Sequence, residues 1–333
     1  MTRFIVQRVV AMVIVLWLAT MLTFLVFFMA PKALGSDPAV LYAGRSPSAA
    51  TLEAVRTKLG LDKSVPEQYW LFVKGIVVGR DYDDGQTVEH CPAPCLGYSF
   101  RNSEAVTTAI ARSIPVTASI AVGAAVIWLV TGVLTGVLSA LKKGSVFDRG
   151  TMAVALAGMS LPIYFTGLLA LSLISYKWEV IDNIRYVGIT DDPLMWARNL
   201  LLAWICLAFL YAAVYARFTR ASVLETAGED FIRTARAKGL SERRVIAKHL
   251  LRPALTPILT ILGLDVGLLL GGAVLTEKTF GMPGLGTLAI NAVLQQDLPV
   301  LLGVTLFAAF FVVAANLIVD VLYALVNPRV RVS

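Results

Sequence analysis

Few side chains in this sequence could do chemistry, and their spacing limits what that chemistry is. Asp265 is a lone acid in an otherwise uncharged run from Pro257 to Thr276. An ionisable group inside a stretch long enough to cross a bilayer is a functional candidate. It could meet a cation on a transport path, or pair with a neighbouring subunit. Glu277 follows at the end of that run and could rim the mouth of the same path, and Met159 offers a soft sulfur in another apolar run. Cys91 and Cys95 lie in His90-Cys91-Pro92-Ala93-Pro94-Cys95. A metal site there has His90 as a third ligand but no fourth nearby. A small-loop disulfide, with the two prolines turning the chain, is the better expectation in a compartment that permits it.

Other chemistry is missing. The sequence has no Gly-x-x-x-x-Gly-Lys-Ser/Thr phosphate loop and no His-Glu-x-x-His zinc motif. Neither histidine falls in an apolar span, so an intramembrane metalloprotease and an intramembrane Ser/His dyad are both disfavoured. We expect no catalytic residue, no bound metal and no cofactor in this chain.

The elements that position these residues follow from composition. The 333 residues are 57% hydrophobic and 15% charged, with a mean hydropathy of +0.75. Soluble domains carry about 45–50% apolar and about 25% charged residues. An ordinary soluble domain and a disordered chain are both excluded. A net charge of +7 in such a chain marks cytoplasmic loops, not nucleic-acid binding. A helix needs about 20 apolar residues to cross a bilayer, because its backbone must be paired internally. Six runs qualify: Val9 to Ala30, Arg112 to Lys142 with Pro115 at its start, Arg149 to Lys177 around Pro162, Asn199 to Ala216, Pro257 to Thr276, and Leu298 to Val319. The first is too long for a signal-peptide core, so we expect it to be kept. Gly123, Gly132 and Gly136 would let the second approach a neighbour closely.

Basic residues set the orientation. Arg3 and Arg8, then Lys142, Lys143 and Arg149, then the Arg/Lys-rich stretch from Arg217 to Arg252, and finally Arg329 and Arg331 all fall on one side if there are six spans. That side is the cytoplasm, with both termini in it. The expected fold is an all-α integral membrane protein. Residues 1–30 form the N-terminus and first span, 31–104 a small helical extracytoplasmic segment, and 105–333 the core, with a cytoplasmic loop at 217–256. In the outer segment, Ser48 to Leu59 reads as an amphipathic helix (Leu52, Val55 and Leu59 on one face, Gly60 as stop), and a second helix begins near Pro66 with Tyr69, Trp70, Val73 and Val77 at helical spacing. Cys206 reads as a buried small hydrophobe. The run Gly281-Met282-Pro283-Gly284-Leu285-Gly286 breaks helices. It is either a short re-entrant turn at the mouth of a pathway or a plain surface turn.

The loop is the most informative segment. Glu229 and Asp230 suit a helix N-terminus, Phe231, Ile232 and Ala235 make a small apolar face, Gly239 is a stop, and Ser241 caps a new helix. On residues alone, lipid contact and docking of a protein partner remain equally open. The stretch Asp230-Phe231-Ile232-Arg233-Thr234-Ala235-Arg236-Ala237-Lys238-Gly239-Leu240, however, resembles the cytoplasmic coupling loop of ABC-importer permeases of the dipeptide/oligopeptide/nickel family. Nearly the whole chain shares the likeness. Leu59-Gly60-Leu61-Asp62 followed by Pro66 to Trp70, Leu96-Gly97 with Ser99, Glu277 through Gly286, and Asn316 to Asp320 with Asn327-Pro328-Arg329 are all similar to the B-type subunit. Arg233, Thr234 and Ala235 stand where the general permease signature has Glu-Ala-Ala, a form usual in the peptide branch, and Tyr82 to Pro94 reads as an insertion.

The resemblance implies a permease subunit of an ATP-driven importer of di- or oligopeptides in a bacterial or archaeal cytoplasmic membrane. It implies a second related permease, two cytoplasmic ATPases that hold the ATP and Mg2+, and an extracytoplasmic substrate-binding protein as partners. Residues Asp230 to Leu240 would form the coupling helix. Nickel is the rival cargo and would favour nitrogen or sulfur donors. Only Met152, Met159 and Cys206 offer soft atoms in spans three and four, and none pairs with a histidine. A proton-driven secondary transporter using Asp265 is the alternative of another class, but it predicts inverted repeats that the two halves do not show.

Overall fold

A computed structural model describes residues 2–29, 32, 35, 37, 39–40, 48–83, 88–181 and 184–326. The first helix, α1 (Thr2–Phe24), continues through a π-helical turn at Leu25–Met29. Two helices follow outside it, α2 (Ala49–Leu59) and α3 (Val65–Val78), then strands β1 (Arg80–Asp83), β2 (Val88–Cys91), β3 (Tyr98–Ser99) and β4 (Glu104–Ala105). The core comprises α4 (Val106–Leu141), α5 (Val146–Ser160), α6 (Ile163–Ala170, running into a π-helical Leu171–Lys177), α7 (Pro193–Ala227), α8 (Asp230–Ala237), α9 (Glu242–Leu270, π-helical at Val245–Leu250), α10 (Val274–Thr279), α11 (Leu285–Gln295) and α12 (Leu298–Val326).

Among the described residues five helices (α1, α4, α7, α9 and α12) are long and apolar enough to cross a membrane, and α5 with α6 makes a sixth span only if the bent pair is counted as one. The bend is 98°, so the third run is not the straight span its composition suggests. Pro162 has no N–H to donate and drives Leu161 into extended geometry, φ −92° and ψ 123°. Other boundaries shift too. Helix α4 starts at Val106, well before Pro115, and Arg112 within it reaches back to the Glu104 carboxylate at 2.8 Å. The shortest apolar run lies within a 35-residue helix, α7, started by Pro193 and by Asp192 accepting the Leu194 and Met195 amides. The fifth run stops at Gly271-Gly272, so Thr276 belongs to α10.

The core is centred on α4 against α7. A Cβ added at Gly132 would lie 2.7 Å from Tyr215 Cβ and 3.0 Å from the Ala212 carbonyl; one at Gly136 would lie 2.6 Å from the Ala216 carbonyl. Gly132-x-x-x-Gly136 thus faces Ala212-x-x-x-Ala216, two small-residue ridges that let the backbones touch. Trp204 fills the space over Gly123 and donates its indole N–H to the Ser119 carbonyl at 2.9 Å. Helix α9 packs on α12 in the same way, with Gly267 against Ala315.

The outer segment is a mixed cap, not a helical one. Helix α2 matches its sequence: Ser48 accepts the Thr51 amide, Gly60 closes it at φ +68°, and Val55 and Leu59 are buried. The stretch read as an insertion is a hairpin, β1 antiparallel to β2 with Tyr82 opposite Glu89, and β3 pairs with β4. On α3 the packed residues are Val65, Tyr69, Phe72 and Ile76, while Trp70 and Val77 point outward. The cap rests on Phe24 of α1 and on Leu302 and Leu306 of α12. Ser99 and Arg101 fasten it further, donating to the Asp297 carboxylate and the Gln295 carbonyl.

Replacing Gly136 with leucine should destabilise the chain by at least about 1–3 kcal/mol through overpacking. Gly150→Ala, with open space around it in the interior of α5, should instead stabilise it by up to about 1 kcal/mol. Heating each variant with a thiol-reactive fluorophore checks this, because Cys206 is a buried free thiol.

Candidate functional site

The loop between α7 and α9 folds into the short helix α8 and a tight turn. Glu229 is the extended N-cap residue of α8, and Asp230 occupies its first turn. Helices favour negative charge at this end. Ile232 and Ala235 are buried in a cluster with Ala140 of α4, Val223 of α7 and Val245, Leu250 and Ala254 of α9. The seat of α8 is therefore built from the ends of three long helices. Phe231 does not share it: it is 45% exposed, at the edge of that face. Its spacing from Ile232 turns it by about 100°. Arg233, Thr234, Arg236, Ala237, Lys238 and Gly239 are exposed beside it, and Leu240 is half-buried.

Gly239, at φ +74°, turns the chain. Its N–H donates to the Arg236 carbonyl at 2.9 Å, and the Leu240 N–H to the Ala235 carbonyl at 3.4 Å, so the helix end is closed on itself. The turn is braced by Arg236, which donates from Nε and Nη2 to the two Glu242 oxygens at 3.2 and 2.7 Å. Ser241 starts α9 from the N-cap position, although its hydroxyl makes no capping bond.

A second brace at this end escapes a reading of charge alone. Arg220 of α7 grips the Asp148 carboxylate of α5 with two bonds, 2.6 and 2.8 Å. Asp148 also accepts the Ser139 hydroxyl and the Gly144 amide. The signal was Ser145-x-x-Asp148, a helix-capping pattern: Ser145 accepts the Asp148 amide at 3.1 Å.

The residues expected on a substrate path lie apart. Asp265 accepts the Tyr215 hydroxyl at 2.8 Å, which ties α9 to α7. Tyr215 in turn adjoins Trp128, itself stacked on Tyr211 at 4.5 Å. Glu277 is fully buried and rims no mouth. Its carboxylate accepts the Thr117 hydroxyl at 2.7 Å, the Ala273 amide at 3.1 Å and the Thr287 amide at 2.9 Å. Thr117 also accepts the Leu285 amide. A Cβ on Gly284 would lie 2.4 Å from the Glu277 carboxyl carbon, so a side chain there would displace the carboxylate. Met282 and Gly284 to Gly286 are buried while Gly281 and Pro283 are exposed, so residues 281–286 form a turn anchored in the interior that shows one edge at the surface. Met159 is exposed on α5 near the bend. Two apolar grooves, of about 360 Å3 between α9 and α12 and about 520 Å3 among α4, α5 and α7, include none of these three residues.

In the cap, Cys91 and Cys95 are joined by a disulfide and buried. His90 turns away from them, its Nδ1 2.5 Å from Asp81. Among the described residues no group of three or more His, Cys, Asp or Glu side chains could hold a metal. Burial and the Glu89 carboxylate, which accepts the Tyr98 hydroxyl at 2.7 Å, push that phenol up to about 12.

A family model described as the binding-protein-dependent transport system inner membrane component matches residues 132–332, and one for the N-terminal part of such membrane components matches 1–121. A putative peptide transport system permease protein of Brucella abortus is 40% identical over 331 residues, 99% of each chain. The dipeptide transport system permease protein DppB of Escherichia coli K12 is 35% identical over 355 aligned residues, again 99% of each. The di/tripeptide transport system permease protein DppB of Pseudomonas aeruginosa is 36% identical over 353, also 99% of each. Among solved structures, the MetNI methionine ABC transporter in an inward-facing conformation shares the fold at 17% identity, with a TM-score of 0.53 over 66% of this chain and 97% of that one.

Glu277→Ala should orphan one buried hydroxyl and two amides, at about 1–3 kcal/mol each. Lost hydrogen-exchange protection at residues 281–287 would register it; unchanged protection would mean that packing alone holds the turn. Alkylation of denatured protein from an oxidising compartment should label Cys206 alone without reductant, and Cys91 and Cys95 only after reduction.

Proposed function

The chain belongs to the binding-protein-dependent transport system inner membrane components, and from that premise we propose that it is the permease subunit of an ATP-driven importer of di- and oligopeptides. Its full-length curated relatives carry peptide names. In this assembly the chain pairs with a second, homologous permease. Two cytoplasmic ATPases hold ATP and Mg2+, and an extracytoplasmic binding protein delivers substrate. Both termini and the loop at 217–256 lie in the cytoplasm, and the cap within residues 31–104 lies outside.

The observation that carries the mechanism is the two-faced helix α8. Ile232 and Ala235 fix one face among the ends of α4, α7 and α9, while Phe231 and the cations Arg233 and Lys238 are presented outward. An aromatic side chain ringed by charges suits a groove on a soluble partner. When ATP closes the two ATPases, the displaced α8 carries α9 with it, because the braced turn at Gly239 joins them with no slack. Helix α9 then moves against α12 and, through Asp265 and Tyr215, against α7. Asp265 here serves helix association. No proton transfer is assigned to it.

In proteoliposomes holding the complete transporter, Phe231→Ala should weaken ATPase association by about 2 kcal/mol, roughly thirtyfold. Gly239→Val should leave ATP hydrolysis running while peptide uptake falls. Unchanged uptake in both variants would remove α8 from the coupling role. Asp265→Asn should lower uptake of cationic, neutral and acidic peptides alike; a loss confined to cationic peptides would return the residue to the substrate path.

A further inference from the structure

Helix α3 packs one side against the cap and leaves an apolar strip uncovered on the other. Trp70 is 64% exposed and Val77 72%, with Val73 half-buried between them. The position of this strip relative to α1 identifies what covers it. Tyr69 of α3 touches α1 directly: its hydroxyl lies 3.2 Å from Thr20 Oγ1, and its ring meets Phe24 edge-on at 5.3 Å. Phe72 adds a second contact with Phe24 at 6.2 Å. Around the α3 axis, Val73, Val77 and Trp70 follow Tyr69 in steps of about 40°, 40° and 20°. The uncovered strip therefore begins at the line where α3 meets α1 and continues outward from it. Lys74 and Glu67 come next, both exposed, and Lys63 pairs with Glu67 at 3.6 Å.

The depth of this contact is fixed by α1. About 20 residues of hydrocarbon thickness counted from Val9 end near Met29. Phe24 then lies about 7 Å inside that boundary. Amphipathic helices that lie in a membrane surface bury their apolar face about 5–10 Å into the headgroup–acyl boundary. Trp17 lies on the same side of α1 as Thr20 and Phe24, about 20° around the axis from Phe24, and is itself 51% exposed, as the lipid-facing side of a membrane span must be. The strip on α3 begins beside that side of α1.

We propose that α3 is an interfacial helix, with Trp70, Val73 and Val77 seated in the boundary lipids beside α1 and Lys74 and Glu67 turned to the headgroups. The cap is then anchored to the bilayer by its own lipid contact as well as through α1 and α12. Tryptophan is well suited to such a site, since its amphipathic ring favours the interface.

The test uses the intact transporter in bilayers of phosphatidylethanolamine and phosphatidylglycerol, without binding protein. Nitroxide labels are placed on Trp70→Cys, Val77→Cys and Glu67→Cys in a Cys206→Ala background. Labels at 70 and 77 should collide more often with oxygen than with a water-soluble nickel chelate, and the label at 67 should show the reverse. Quenching of tryptophan emission by brominated lipids, larger in the natural chain than in Trp70→Phe, gives the same readout without a label. Nickel access at 70 and 77 equal to that at 67 would overturn the proposal. So would labels that become shielded only when the binding protein is added, because the strip would then be a protein-docking face. Either failure would leave the coupling role of α8 untouched.

Discussion

Within a bilayer, helices gain nothing by hiding apolar surface from one another, so this bundle depends on backbones that come close enough to touch. The contact of Gly132 and Gly136 with Ala212 and Ala216 is the point from which the rest is built. It aligns α4 with α7 along most of their lengths. At one end α4 supplies Ala140 and α7 supplies Val223 to the seat of α8. At the other end α4 supplies Thr117, which hydrogen-bonds both Glu277 and the Leu285 amide of the buried turn. A side chain inserted between the ridges would disturb both ends together.

The two ends are stabilised by different chemistry, and each suits its surroundings. The end holding α8 uses charge-assisted bonds, Arg220 to Asp148 and Arg236 to Glu242, beside a small apolar cluster. Such bonds have fixed geometry and hold a turn rigid. The turn at residues 281–286 uses a single enclosed carboxylate that gathers one hydroxyl and two amides. No water is needed there, because Glu277 supplies the acceptors that the bent backbone of 273–287 would otherwise lack.

Much of this was legible in the sequence wherever a local rule governs. The boundaries of α2 follow from Ser48 and Gly60, the turn after α8 from Gly239, and the α4 contact from glycines four apart. What was hidden depends on which way a side chain faces after packing. Phe231 and Trp70 look like core residues by type, and only the tertiary arrangement shows that they point out. Glu277 looks like an exposed acid and is enclosed, since nothing local announces that Thr117, far away in sequence, will meet it. The bend at Pro162 was visible as a proline but not as a break, because membrane helices tolerate proline when neighbours satisfy the freed carbonyls. The hairpin at Tyr82 and Cys91 lay in a segment with no matching pattern, and strands this short carry little periodicity.

Helices α4 and α7 contain 36 and 35 residues, about 54 and 52 Å of rod in a hydrocarbon layer about 30 Å thick. Each therefore projects well past the lipid, and the two are packed together from Gly123 with Trp204 to Gly136 with Ala216. Two long rods packed over such a length tilt as one body. A tilt of about 10° about its midpoint moves each tip of a 54 Å rod sideways by about 5 Å, in opposite directions. Helix α8 sits at one tip and the turn held by Glu277 lies toward the other. In such a body a displacement of the α8 end is felt at the far end as well, without unwinding any part of the rods.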